Sequence, residues 1–131
     1  MSLIATESAV YGNVVKHEYL PDVGYCKNVV TVNDTAGTLA IGTVVGKVSA
    51  TGKYKRAAET AADGSKVAAG IVAAVTTIAG STDTNVLIVN RGPAGVSKAG
   101  LVLDATYDDA TKKGVVYASL EALGIQVLET V

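Results

Sequence analysis

Residues 42–57 read "GTVVGKVSATGKYKRA", and whether these glycines cradle a phosphate or turn the chain decides the fold. A phosphate loop of the Walker type needs four residues between its glycines, then Lys and a hydroxyl residue to hold magnesium. Here three residues separate Gly42 from Gly46, and Val48 stands where Ser or Thr is required. The chemistry fails on both counts, so the stretch is a hairpin. Val44, Gly46, Val48 and Ala50 share one parity and Val45, Lys47 and Ser49 the other, which predicts a strand with one covered face. "ATG" at 50–52 supplies the turn, because Gly52 takes positive φ without a Cβ penalty, and 53–56 return as the partner strand. Lys47, Lys53, Lys55 and Arg56 are then solvated cations guarding a strand edge rather than an anion site.

Working outward, "ETAADGSKVAAGIVAAV" (59–75) places an Asp63-Gly64 turn before another strand. Val67, Ile71 and Val75 fall on its large face, with Ala68, Gly70 and Ala74 on its small one. Such asymmetry predicts close approach of a second layer or subunit, or a tightly curved barrel strand. "TNVLIVNRG" (84–92) is an apolar run bounded by turn residues, as for a strand buried on both faces. In "KNVVTVNDTAG" (27–37), Val30 and Val32 alternate with Val29, Thr31 and Asn33 before a turn at Asn33, Asp34 and Gly37. The helix is "DDATKKGVVYASLEAL" (108–123), capped by Thr106 or Asp108 and stopped by Gly124, with Val116, Leu120 and Leu123 as its apolar stripe. Gly114 inside it marks a break or a close contact. "GIQVLETV" (124–131) reads as a closing strand. Residues 1 to about 26 lack this regularity and end near Pro21, which divides the chain into an extended arm (1–26) and a strand-rich body (27–131).

Composition narrows the function. Eleven Lys plus Arg against twelve Asp plus Glu give a net charge of −1, without the basic footprint or interleaved aromatics of a nucleic-acid binder. The chain contains neither Trp nor Phe, so its core is built from small aliphatic residues. Each of these buries little area, at about 25 cal/mol per Å², and covering apolar surface in an oligomer is a reasonable expectation. One cysteine, Cys26, excludes an internal disulfide and suits a reducing cytoplasm. Neither a secretion signal nor a membrane span is expected, and no membrane or nucleic-acid partner.

No catalytic set assembles. His17 is the sole histidine and sits in the arm, where nothing would fix its tautomer. Cys26 has no CxxC partner, so a buried, neutral thiol is the default. Asp108 and Asp109 are adjacent at a helix start, where dipole compensation explains them. "NRGPAG" (90–95) is a turn with an exposed Arg91 unless it presents a ligand loop. No cofactor or metal is expected.

Taken in order, "GTVVGKVSATGKYKRA", "ADGSKVAAGIVAAV", "LIVNRGPAGV" and "ATYDDATKKGVVYASLEALGIQVL" resemble the phage head decoration protein family of the lambda type, over roughly residues 42–128. The resemblance implies a mainly β fold with one C-terminal helix, a barrel-like or tulip-like body and an extended N-terminal arm. It also implies homotrimers on the outside of an expanded phage capsid, clamping neighbouring major capsid protein subunits, assembled in the bacterial cytoplasm. In the family the N-terminal segment faces the shell and adds a strand to capsid loops, a mode in which main-chain hydrogen bonds supply affinity. By position the segment from Ala5 to Leu20 takes that role, with Ala5, Val10, Tyr11, Val14, Val15, Tyr19 and Leu20 as its contact residues. The chain lacks the tryptophans and the Pro-rich arm of the lambda type. The alternative is a carbohydrate-binding β-domain presenting "NRGPAG" to sugars, which the absence of Trp and the scattered Tyr residues weigh against.

Overall fold

A computed structural model describes residues 14–18, 26–80, 82–92 and 94–128. Five strands close into a barrel in the order β2 (Lys27–Val32), β5 (Tyr54–Arg56), β4 (Val44–Lys47), β6 (Ala68–Val72) and β8 (Thr84–Val89). β8 returns antiparallel to β2, paired from Lys27↔Val89 to Val32↔Thr84. The junction of β2 with β5 is parallel and short. It consists of Val32↔Tyr54, a bond from the Asn33 amide to the Tyr54 carbonyl (2.9 Å) and one from the Arg56 amide to Asp34 Oδ2 (2.9 Å). A ribbon of β3 (Gly37–Leu39) and β7 (Thr76–Ile78) lies beside the barrel. A second sheet, β1 (Val15–Glu18), β9 (Ala94–Ser97) and β10 (Ile125–Leu128), sits with the helix α1 (Ala110–Ala122), which packs on β10 and β6.

The strands separate two apolar clusters, and the period of two along each strand explains how. Val32, Val45, Val72, Val86 and Ile88 form the inner cluster, closed by Leu39 and Ile78 from the β3–β7 ribbon. Their sequence neighbours Val44, Ile71 and Val89 point the other way, into an outer cluster with Val96, Val116, Leu120 and Ile125. The barrel wall is thus covered on both sides where α1 and the second sheet lie against it. This corrects the one-faced reading of β4, since Val44, Val45 and Gly46 are all buried and only Lys47 is exposed.

The hairpin of residues 42–57 is present, with Val45↔Arg56, Gly46↔Lys55 and Lys47↔Tyr54 in register. Gly52 has φ +73° and donates its amide to the Val48 carbonyl (2.8 Å). β6 is shorter than the sequence implies, and Val67 and Val75 lie beyond its ends, 59% and 55% exposed. Its small face does meet a close neighbour: a Cβ on Gly70 would lie 2.9 Å from Ile88 Cδ1 and 3.0 Å from the Val89 carbonyl oxygen. The helix stripe of Val116 and Leu120 is buried, with Leu123 packed against the same cluster. Its cap is Asp109, whose side chain accepts from the Lys112 amide (2.8 Å). Thr106 and Asp108 are occupied elsewhere, Thr106 Oγ1 with Asp104 Oδ2 (2.8 Å) and Asp108 with Lys112 Nζ (3.0 Å). Gly114 does not break the helix, and a Cβ there would meet nothing within 4 Å.

Candidate functional site: the arm root and the charged end of the barrel

The described part of the chain begins at Val14. Val14 is fully buried and Val15 is 6% exposed, both in the outer cluster. Val14 occupies a seat between two glycines: a Cβ on Gly100 would lie 3.1 Å from Val14 Cγ2, and one on Gly42 3.3 Å from Val14 Cγ1. From there β1 runs antiparallel to β9, with Val15↔Val96, His17↔Gly95 and Glu18↔Ala94 and an irregularity between Val15 and His17. Val14 and Val15, expected among the arm's contact residues, have their side chains packed in this chain's own core. Ala5, Val10, Tyr11, Tyr19 and Leu20 lie outside the described residues. The pairing of β1 with β9 joins segments far apart along the chain, which no local pattern of residues encodes.

At the hairpin end of the barrel, charges are arranged in pairs. Lys53 Nζ lies 3.0 Å from Asp83 Oδ1, Lys55 Nζ 3.3 Å from Asp63 Oδ2 and Arg56 Nη1 3.3 Å from Asp34 Oδ2. These cations do not guard an open edge, since β5 is flanked by β4 and β2. Asp63 accepts from the Ser65 hydroxyl (2.6 Å) and the Ser65 amide (3.1 Å), and these bonds, with the Lys55 ammonium, hold its pKa down at about 2. Asn33 Nδ2 donates to Asp83 Oδ1 (3.0 Å), which with Lys53 lowers the Asp83 pKa. A network of short side chains and ion pairs of this kind fixes the Val48–Lys53 and Asp63–Ser65 turns. Within it Asp34, Asp63 and Asp83 each face a cation.

The other chemical candidates have structural explanations. The turn after Asn90 is zipped to the end of α1: the Gly92 amide donates to the Leu123 carbonyl (2.9 Å) and the Ala94 amide to that of Gly124 (3.2 Å). A side chain on Gly92 would collide with the Gly124 carbonyl. Asn90 accepts from Asn28 Nδ2 (3.1 Å), so "NRGPAG" is a junction between the barrel, β9 and the helix. Cys26 is fully buried in the outer cluster. The backbone of His17 belongs to β1. Among the described residues no group of three or more His, Cys, Asp or Glu is placed to hold a metal ion. No helix among them is long and apolar enough to cross a membrane.

A five-stranded barrel with ion pairs at its hairpin end, a second sheet that holds Val15–Glu18 against β9, and one C-terminal helix define a mainly β body. The family model described as bacteriophage lambda head decoration protein D matches residues 4–125, nearly the whole chain, and the chain belongs to that family. It is a capsid decoration protein of the cement type and a component of the phage particle. Comparison with the curated proteins gives no match.

Proposed function

We propose that the protein binds the outside of the expanded phage head as a homotrimer, bridges neighbouring major capsid protein subunits and stabilises the shell against internal DNA pressure. The observation that carries the reading is the family match across residues 4–125. It is supported by the valines Val29, Val67, Val75, Val102 and Val115, exposed on a body whose apolar core is aliphatic apart from Cys26 and Tyr107. Contact with further chains would cover such surface. Three subunits each engaging several capsid subunits would hold by avidity, without any single strong contact.

In this reading the segment preceding Val14, with Ala5, Val10 and Tyr11, makes the capsid contact, and Tyr19 and Leu20 flank β1 on the other side. Val14, Val15 and β1 root the arm, so that tension on it passes into β9 and the outer cluster. The domain boundary that matters for attachment then falls before Val14 rather than at residue 26. Sedimentation of expanded shells with the full chain and with a chain lacking residues 1–13 tests this. Loss of occupancy on the shell with an unchanged melting temperature is expected for the shortened chain, and full occupancy contradicts the arm's role.

A further inference from the structure

Asp63-Gly64 is the one place in the chain where Asp or Asn precedes glycine. Glycine has no Cβ to keep its amide nitrogen away from the preceding carboxyl carbon, and the pair can therefore react with itself. The Gly64 nitrogen attacks Asp63 Cγ and an N–Cγ bond forms. The Cγ–OH bond of the protonated carboxyl breaks, and the hydroxyl leaves as water with the amide proton. Water then opens the cyclic imide at one carbonyl or the other, restoring aspartate or leaving isoaspartate, whose main chain runs through the side chain and is longer by a methylene. Gly64 is exposed and Asp63 half-buried, so water reaches both.

The fold requires this glycine. Gly64 has φ +98°, and a Cβ on it would collide with Ser49 Oγ, so a less reactive pair such as Asp-Ala does not fit the turn. Nor does the turn have room for isoaspartate. The Asp63 carbonyl accepts from the Ser49 amide (2.9 Å), and the Ser65 carbonyl lies against Gly46, where a Cβ would strike it. A longer main chain between these two anchors would part the turn from β4.

Asp63 is held away from the reaction through both carboxylate oxygens. Oδ1 accepts from the Ser65 hydroxyl (2.6 Å) and the Ser65 amide (3.1 Å), and Oδ2 from Lys55 Nζ (3.3 Å). The bond to the Ser65 amide closes a side-chain turn across Gly64, and swinging the carboxyl onto the Gly64 nitrogen must break it. The same donors hold the pKa at about 2, which keeps the group a carboxylate near neutral pH, and a carboxylate has no hydroxyl to lose as water. Ser65 is itself fully buried, so packing fixes the donor. We infer that Asp63-Gly64 is a latent isomerisation site that the turn cannot do without, and that Ser65, seconded by Lys55, holds it unreactive in the folded chain. The inference does not depend on the capsid reading.

The test is peptide mapping for isoaspartate at residue 63 after prolonged incubation at neutral pH. It compares the folded wild-type full chain, the same chain unfolded in guanidinium chloride, Ser65→Ala and Lys55→Ala. The folded wild type should isomerise roughly tenfold more slowly than the unfolded chain, because the reaction waits on local opening of the turn. Ser65→Ala should react about threefold faster than the folded wild type, the effect of one lost hydrogen bond on that opening, with amide exchange in β2 and β8 unchanged. Lys55→Ala should show a smaller rise. Equal rates in the folded and unfolded wild type overturn the inference, as does a Ser65→Ala rate equal to that of the folded wild type. Should Ser65→Ala also exchange faster throughout β2 and β8, its rise reports global opening. Lys55→Ala, which removes a partly exposed ion pair, then decides, and isomerisation there at the wild-type rate overturns the inference.

Discussion

Asp63 carries the clearest electrostatic consequence at the scale of single residues. Its folded pKa of about 2 lies below the ordinary 3.8 because the Ser65 hydroxyl and amide, then Lys55, favour the carboxylate. A depressed folded pKa means that the ionised form binds the native state better. The stabilisation is fully present above about pH 4 and is lost as the pH falls toward 2. Asp63→Asn should therefore melt below the wild type at neutral pH, with the gap closing between pH 4 and 2. Parallel melting curves across that window would contradict the assignment. Gly114 gives a prediction of opposite sign. It is exposed, helical and has open space where a Cβ would stand, so Gly114→Ala should stabilise by about 1 kcal/mol. That corresponds to a rise of roughly 4 °C in melting temperature. No change, or a loss, would contradict the open space read at Gly114.

Among the elements, β4 does most to organise the molecule, since its successive residues feed both clusters. Gly46 lies where a Cβ would strike the Ser65 carbonyl, and Ser65 is fully buried and fixed by Asp63. Backbone cannot give way as a flexible side chain can. Gly46→Ala should cost more than Gly114→Ala gains, and a melting temperature equal to that of the wild type would show that the 63–65 turn is free to move. Elements whose signals are local could be read from the residues: the 42–57 hairpin from its glycine and alternation, β8 from its unbroken apolar run, α1 from its stripe and Gly124. The elements that could not be read depend on distant partners. β3 and β7 are three residues each and exist by pairing with one another. β1 exists by pairing with β9, across most of the chain. The cap falls at Asp109 because the Asp108 side chain is engaged by Lys112 of the helix itself and the Thr106 hydroxyl by Asp104 and the Glu59 amide, pairings that spacing alone does not show.

The described residues form an inner barrel clothed on one side by a helix and a three-stranded sheet; β1 pairs with β9 of that sheet, and Val14 and Val15 pack in the cluster between sheet, helix and barrel wall. Val14 and β1 are thus part of the body's own packing, which gives the two shortened chains different expected stabilities. Removal of residues 1–13 should leave the melting temperature unchanged. Removal of residues 1–20 should lower it clearly, because it empties the Gly42–Gly100 seat and strips β9 of its antiparallel neighbour. Loss of a fully buried valine and its strand is comparable to a large-to-small core substitution, on the order of 2 kcal/mol or more. Equal melting of the two shortened chains would show that β1 contributes nothing to the body.

The central claim, that this fold is a cement for the matured phage head, is tested most directly by co-sedimentation of the full chain with expanded and unexpanded shells of the phage that encodes it. The number of copies bound per capsid subunit is the quantity to measure. Near one-to-one binding to the expanded shell, and none to the unexpanded one, is the predicted result. Binding to neither shell, or equally to both, would contradict a protein that reads the expanded lattice.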